Sequence, residues 1–152
     1  MKKILLAGEG KNELGGWVDP PPYRDPSRPG ALEALLRKVA PAGWEIKDVV
    51  IWKNIRKFRA GQHRGAEARA VLGLVQEAKE RRFDAVVFTR DRDGEKPEHE
   101  QRERDIAFGL EEAPGVFPGA PPIVGGLAVQ RLESWVLAVT GVKLTEAMKR
   151  AE

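Results

Sequence analysis

The sequence contains no cysteine among its 152 residues. This absence excludes a disulfide-bonded scaffold, zinc sites built from thiolates and a cysteine nucleophile. A chain without disulfides fits the reducing environment of the cytoplasm, and we expect a cytoplasmic location. Histidine is almost as scarce, with two residues, so imidazole ligands can contribute little to any metal site.

Long apolar runs are also missing. The four residues Ile4–Ala7 are typical of the longest stretches, whereas a helix across a bilayer needs about 20 apolar residues. Two lysines precede this run, but it ends at Gly8 and Glu9, before it reaches the length of a secretory signal core. We therefore expect neither membrane insertion nor secretion.

The net charge is only +3, but it is distributed unevenly along the chain. Residues 53–83 carry nine basic and three acidic side chains, whereas residues 84–112 carry five basic and ten acidic ones. The hydrophobic fraction of 41% is ordinary for a globular protein, and the length fits one domain over residues 1–152. A basic stretch followed directly by an acidic one is the first indication of function.

Short apolar runs rich in β-branched residues alternate with helical patterns. The runs predict buried strands at Ile4–Ala7, Val49–Trp52, Ala85–Thr89, and from Ile123 to Val124 or Ala128. Apolar residues at helical spacing predict helices that start near Leu32, span 65–82 and 98–112, and start near Val129. The alternation predicts an α/β fold with a mostly parallel sheet of about four strands and helices on both faces.

The segment 15–30 interrupts this pattern with five prolines. Proline lacks the backbone N–H that helices and central strands use, so we predict a surface loop inserted into the domain. Trp17 and Tyr23 lie in this segment, where Trp17 either anchors the loop or forms part of a partner surface.

Five carboxylates lie just beyond the predicted strands or near the start of the last helix: Glu9, Glu13, Asp91, Asp93 and Glu133. Ligands of parallel α/β sheets bind beyond the carboxyl ends of the strands, so we expect these side chains to converge. Hard oxygen ligands without cysteine favour Mg²⁺ or Mn²⁺ over Zn²⁺. Each motif alone also fits a turn or a solvated helix carboxylate, and only the joint placement favours a metal site.

In these motifs the sequence resembles the Toprim family, a Rossmann-like fold shared by topoisomerases, bacterial primases, recombination-repair proteins and the overcoming-lysogenization-defect nucleases. The family has Glu-Gly after its first strand and Asp-x-Asp after a later one, which Glu9-Gly10 and Asp91-Arg92-Asp93 match. The sequence is most similar to short stand-alone Toprim-like proteins of uncharacterised function. These carry Glu-Gly-x-x-Glu, here residues 9–13, and a late helix with Glu-x-Trp, here Glu133-Ser134-Trp135.

The resemblance implies a single Toprim-like domain with a divalent-metal site. Glu9, Asp91 and Asp93 would be its metal ligands and catalytic residues, and Glu13 and Glu133 would be supporting carboxylates. The implied cofactor is Mg²⁺ or Mn²⁺, and the implied chemistry is phosphoryl transfer.

A run of basic residues follows the second predicted strand: Lys53, Arg56, Lys57, Arg59 and Arg64. The rule that places the carboxylates also places this run at the same edge of the sheet, where it could bind the phosphates of a polyanion. Trp52 and Phe58 could stack on bases, although Trp52 also fits a core position. The alternative is a solvated loop whose charges serve solubility.

These residues are compatible with three functions. The first is a Mg²⁺-dependent nuclease or phosphodiesterase that acts on DNA or RNA. The second is a non-catalytic Toprim-like module that binds nucleic acid or docks on a separate effector such as an ATPase, since relatives of the nuclease type commonly carry their own ATPase and no Gly-x-x-x-x-Gly-Lys-[Ser/Thr] motif occurs here. The third is a plain α/β domain whose acidic loops bind no metal.

Overall fold

A computed structural model describes residues 1–59, 65–91 and 96–128. Its strands are β1 Lys2–Gly8, β2 Gly15–Trp17, β3 Arg24–Pro29, β4 Trp44–Ile51, β5 Ala85–Asp91 and β6 Ile123–Ala128. Its helices are α1 Lys11–Leu14, α2 Ala31–Val39, α3 Ala66–Glu80 and α4 Lys96–Val116, with a 3₁₀ turn at Trp52–Asn54. Within the described ranges, no helix has the length and apolar character needed to cross a membrane.

Four strands form an all-parallel sheet in the order β4-β1-β5-β6. The central position of β1 explains its sequence, because Leu5, Leu6 and Ala7 are fully buried and must be apolar on both faces. The predicted α/β fold and its four parallel strands are therefore confirmed.

The second predicted strand, which is β4 of the structure, is longer than its apolar run indicated. β4 begins at Trp44 rather than Val49, because its first half alternates between buried Trp44 and Ile46 and the more exposed Glu45 and Lys47. This alternation contains no continuous apolar run and is typical of a strand at a sheet edge. At the other end, Trp52 belongs to the 3₁₀ turn and not to the strand.

Helices cover both faces of the sheet, as predicted. On one face α2 packs through Leu32 into a cluster that also contains Leu6, Trp44, Ile46 and Val49. On the other face α3 and α4 contribute to a second cluster, whose members include Leu5, Ala7, Val71, Leu74, Phe88 and Ile106. The two clusters take alternate residues of β1, which is the two-residue period of a strand. The helix predicted from Val129 lies outside the described residues.

The proline-rich segment is more regular than predicted. β2 and β3 pair antiparallel as a separate two-stranded ribbon, with Gly15 opposite Pro29 and Trp17 opposite Arg24. Proline is tolerated there because a two-stranded ribbon has free edges that need no further N–H donors. The segment predicted as a surface loop thus contains two paired strands, and neither is a helix or a central strand of the parallel sheet.

Trp17 packs both against Tyr23, the residue just before β3, and against the rest of the domain. Its ring stacks on Tyr23 with centroids 4.5 Å apart and an interplanar angle of 16°. Both rings also pack against the apolar cluster beneath α2. Of the two roles left open for Trp17, the structure therefore gives it the anchoring one.

Candidate functional site

Two of the predicted site residues meet where β1 and β5 end. The strands are neighbours in the sheet, with Ala7 opposite Phe88, so Glu9 and Asp91 emerge side by side. One carboxylate oxygen of Glu9, Oε1, accepts the backbone N–H of Asp91 at 3.2 Å. The structure thus brings Glu9 and Asp91 together at the carboxyl edge of the sheet.

Arg90 holds the carboxylate of Glu9 in place. Its Nη1 donates to Glu9 Oε1, and its Nε and Nη2 donate to Glu67 at 3.2 Å each. Burial alone would lower the pKa of Arg90, but the hydrogen bonds and negative charges of Glu67 and Glu9 outweigh it and raise the pKa. The guanidinium therefore stays charged and neutralises part of the acidic site.

Arg102 from α4 extends this network. Its Nε lies 3.7 Å from Glu67 Oε1, and its Nη1 donates to the backbone carbonyl of Asp91 at 3.2 Å. Arg90, Glu67 and Arg102 belong to the site although no sequence motif indicated them. An available signal was the arginine inside a buried strand at position 90, because such a charge needs a partner on a neighbouring element.

Glu13 shapes the turn that presents Glu9. It lies in the first turn of α1, is 7% exposed, and accepts the backbone N–H of Gly10 at 3.0 Å. A carboxylate that bonds back to the residue before a helix is the N-terminal capping arrangement. This contact gives Glu13 a structural role beside its predicted supporting role at a metal.

The donor chemistry of Glu9 and Asp91 fits Mg²⁺ or Mn²⁺, which prefer carboxylate oxygens. Arg90 competes for Glu9, however, since it already occupies the oxygen Oε1. Within the part of the chain that the structure describes, no three His, Cys, Asp or Glu side chains are grouped closely enough to hold a metal ion. The predicted ligands Asp93 and Glu133 lie outside the described residues.

The basic segment starts at this edge and then leaves it. Lys53 follows β4, whose last residue Ile51 pairs with Gly8 directly before Glu9. The chain next crosses α3, where the Phe58 N–H donates to the Arg69 carbonyl at 3.0 Å.

Arg56 points further from the carboxylates. Its guanidinium lies 3.6 Å from Glu80 in the last turn of α3, whereas Glu67, beside Arg90, is in the first turn. Arg56, Lys57, Phe58, Arg59 and Gln76 line a surface groove of about 480 Å³. Arg64 lies outside the described residues.

The two aromatic residues considered for base stacking are used for packing. Trp52 is 6% exposed, and its ring centroid lies 5.3 Å from that of Phe88. The Arg90 guanidinium carbon lies over the Trp52 ring, 5.6 Å from its centroid, in a cation–π contact. Phe58 meets Phe117 edge-on at 5.3 Å. The core interpretation of Trp52 is therefore confirmed.

The chain was compared with protein-family models, with curated proteins and with solved structures, and none of the three comparisons gave a match.

Proposed function

We propose that the protein is a divalent-cation-dependent phosphodiester hydrolase that acts on nucleic acid and has a Toprim-like domain. The observation that carries the proposal is the hydrogen bond from the backbone N–H of Asp91 to the Glu9 carboxylate, which brings two acidic residues together at the ends of adjacent parallel strands. Acidic residues from different strands at this edge can supply oxygen ligands to a metal that promotes phosphoryl transfer. The Glu-Gly and Asp-x-Asp motifs that resemble the Toprim family supply the same two residues.

In this proposal Glu9, Asp91 and Asp93 hold Mg²⁺ or Mn²⁺, with Glu13 and Glu133 in support. A bound ion would stabilise negative charge on the phosphate and lower the pKa of a coordinated water. Arg90 orients Glu9 and keeps the two carboxylates of Glu9 and Glu67 from repelling each other. The phosphates of DNA or RNA would be bound by the basic segment that leads away from the metal site, which comprises Lys53, Arg56, Lys57, Arg59 and Arg64.

Cleavage assays with the Asp91→Ala variant test the proposal. The purified protein is incubated with single- and double-stranded DNA and RNA, with Mg²⁺, with Mn²⁺ or with a chelator. We expect cleavage that needs the metal and is lost in Asp91→Ala. The matched control is Glu111→Ala, which removes an exposed carboxylate from α4 and should leave cleavage unchanged. Cleavage by Asp91→Ala at the wild-type rate would contradict the proposal.

A second candidate is a non-catalytic Toprim-like module that binds nucleic acid or docks on a separate effector such as an ATPase. The ion pair between Arg90 and Glu9 favours it, because the carboxylate is already neutralised by a cation that belongs to the chain. This candidate predicts no cleavage under any metal condition, and any nucleic-acid binding that it shows should not be weakened by a chelator. Gel-shift and cleavage assays on the same samples separate the two candidates.

A further inference from the structure

A second charged feature lies at the amino edge of the sheet, where the parallel strands begin, opposite the carboxyl edge that carries Glu9 and Asp91. There the amino-terminal halves of β1 and β4 and the turn before β5 surround a cavity of about 530 Å³. Its charged lining consists of five cations and one carboxylate: Lys3, Arg24, Lys47, Arg81, Arg82 and Glu45. Strands β1 and β5 run from this edge toward Glu9 and Asp91, so the cavity is separate from the candidate metal site.

Arg81 is fixed in the wall of this cavity by a buried carboxylate. Asp48 is fully buried, and its Oδ2 accepts Arg81 Nη2 at 2.5 Å. Its Oδ1 accepts the backbone N–H groups of Tyr23 at 2.8 Å and Arg24 at 3.2 Å. A buried carboxylate needs such partners, and they in turn hold the guanidinium in one orientation.

Arg24 is oriented in the same way from the other side. Its Nη2 donates to Glu33 Oε1 at 2.6 Å, and the two side chains are only 14% and 11% exposed. A guanidinium has five N–H donors, so one carboxylate behind it leaves further donors for a ligand. The cavity thus has two arginines whose positions are set before any ligand arrives, which reduces the entropy lost on binding.

The lining favours an anion with an organic part. Three carboxylates pair with the arginines but are not lining residues: Asp48 and Glu77 at Arg81, the latter at 3.5 Å, and Glu33 at Arg24. The exposed Lys3, Lys47 and Arg82 add positive charge at the surface. The volume falls within the roughly 300–1,000 Å³ of small-molecule sites and is much larger than one phosphate group. The remaining wall includes apolar side chains, among them Pro22, Pro26 and Phe83.

We propose that this cavity binds a nucleotide-sized phosphate ester, and that the pre-oriented side chains of Arg24 and Arg81 bind its phosphate. Arginine suits this role because its planar fork of donors matches phosphate oxygens. The site is independent of the divalent metal and of the hydrolysis proposed above.

Calorimetric titration in the presence of a chelator tests the site without the metal chemistry. The probes are ADP, AMP and inorganic phosphate, titrated into the full chain at low ionic strength. We expect ADP to bind more tightly than AMP, and both more tightly than inorganic phosphate. The test variant Lys47→Gln/Arg82→Asn removes two exposed cations of the lining and should weaken ADP binding roughly tenfold. Asn is chosen at position 82 because Arg82 has a φ of 61°, which asparagine tolerates.

The matched control is Lys38→Gln/Arg104→Gln, which removes the same charge from α2 and α4 outside the lining. It should leave ADP binding within twofold of wild type, roughly the limit set by long-range charge effects. A second variant, Arg81→Lys, keeps a cation beside Asp48 but removes the fork, and should weaken ADP binding while the fold is retained.

Three results would overturn the proposal. The first is that ADP does not bind the wild-type protein. The second is that ADP binding is weakened equally in the test and control variants. The third is that inorganic phosphate binds as tightly as ADP. An oligonucleotide that binds the wild-type protein and is weakened only by the test variant, while ADP does not bind, would show a nucleic-acid surface instead.

Discussion

The two edges of the sheet carry arginine–carboxylate pairs with opposite arrangements. At the carboxyl edge, Arg90 is 17% exposed and lies between Glu9 and Glu67, which are 25% and 16% exposed. At the amino edge, Asp48 is completely buried, whereas its partner Arg81 is 33% exposed and lines a cavity. In the pair of Arg90 with Glu9 the acid is the more exposed partner, whereas in the pair of Arg81 with Asp48 the base is the more exposed partner. The charge that such a pair presents at the surface therefore depends on which partner the fold buries.

The largest expected effect comes from removing the buried acid of the amino edge. Asp48→Ala deletes the buried partner of Arg81 and leaves the N–H groups of Tyr23 and Arg24 without their acceptor. We expect the free energy of unfolding to fall by about 3 kcal/mol, measured by urea denaturation.

The control is Asp25→Ala. Hydrogen bonds from Ser27 and Arg28 lower the pKa of Asp25 to about 2, but its carboxylate is at the surface. Asp25→Ala should be clearly less destabilising than Asp48→Ala. An equal loss in both variants would show that burial does not distinguish the two acids.

The second largest effect is expected from removing Arg90, the cation between the two acids of the carboxyl edge. Arg90→Gln leaves Glu9 and Glu67 without their shared cation, and we expect a loss of about 2 kcal/mol in the free energy of unfolding. If the carboxylates accept a divalent ion, Mn²⁺ should raise the melting temperature of Arg90→Gln more than that of the wild type. Differential scanning fluorimetry with and without Mn²⁺ measures this difference.

The control for this experiment is Arg104→Gln, which removes an arginine from α4 outside the ion-pair network. Its melting temperature should respond to Mn²⁺ as the wild type does. Identical responses of Arg90→Gln and the control would show that Arg90 does not compete with a metal for Glu9.

A smaller effect concerns pH at the amino edge. Burial raises the pKa of Glu77 above its ordinary value of 4.5, although the charge of Arg81 opposes this shift. A carboxyl group with a raised pKa binds protons more strongly in the folded state, so its contribution to stability is lost as the pH rises from 4.5 through the raised pKa.

Glu77→Gln should therefore gain stability relative to the wild type over that pH interval. Urea denaturation of both proteins at a series of pH values measures the difference. A difference that stays constant, or that falls as the pH rises, would contradict the raised pKa.

The smallest effect is expected for Arg56→Gln. The pair of Arg56 with Glu80 joins side chains that are 76% and 55% exposed, so its loss should change the free energy of unfolding by less than about 0.5 kcal/mol. If the basic segment binds nucleic acid, the same variant should still weaken binding in a gel-shift assay and reduce its salt dependence. Large destabilisation would show that Arg56 serves the fold instead.

The regular elements could be predicted because their signals are local. The apolar run of β5 and the helical spacing of Val71, Leu74 and Val75 in α3 depend only on nearby residues. The short α1 and the ribbon were missed, because one is a single turn and the other carries prolines on free edges.

The ion pairs could not be predicted from local patterns. Glu9 and Arg90 are 81 positions apart, and Asp48 and Arg81 are 33 apart. Each pair depends on which strands and helices become neighbours, and periodicity does not specify that order. The contact of Glu9 with Asp91 could be anticipated because the convergence of strand ends is a general property of parallel sheets.

The attachment of the ribbon to Asp48 also makes the opening of this region measurable. The amide protons of Tyr23 and Arg24 are both held by one carboxylate oxygen of a fully buried side chain. Their exchange with deuterium then requires the ribbon to separate from β4, whether locally or by global unfolding. The protection of these two amides from exchange therefore measures the free energy needed to open the wall of the cavity.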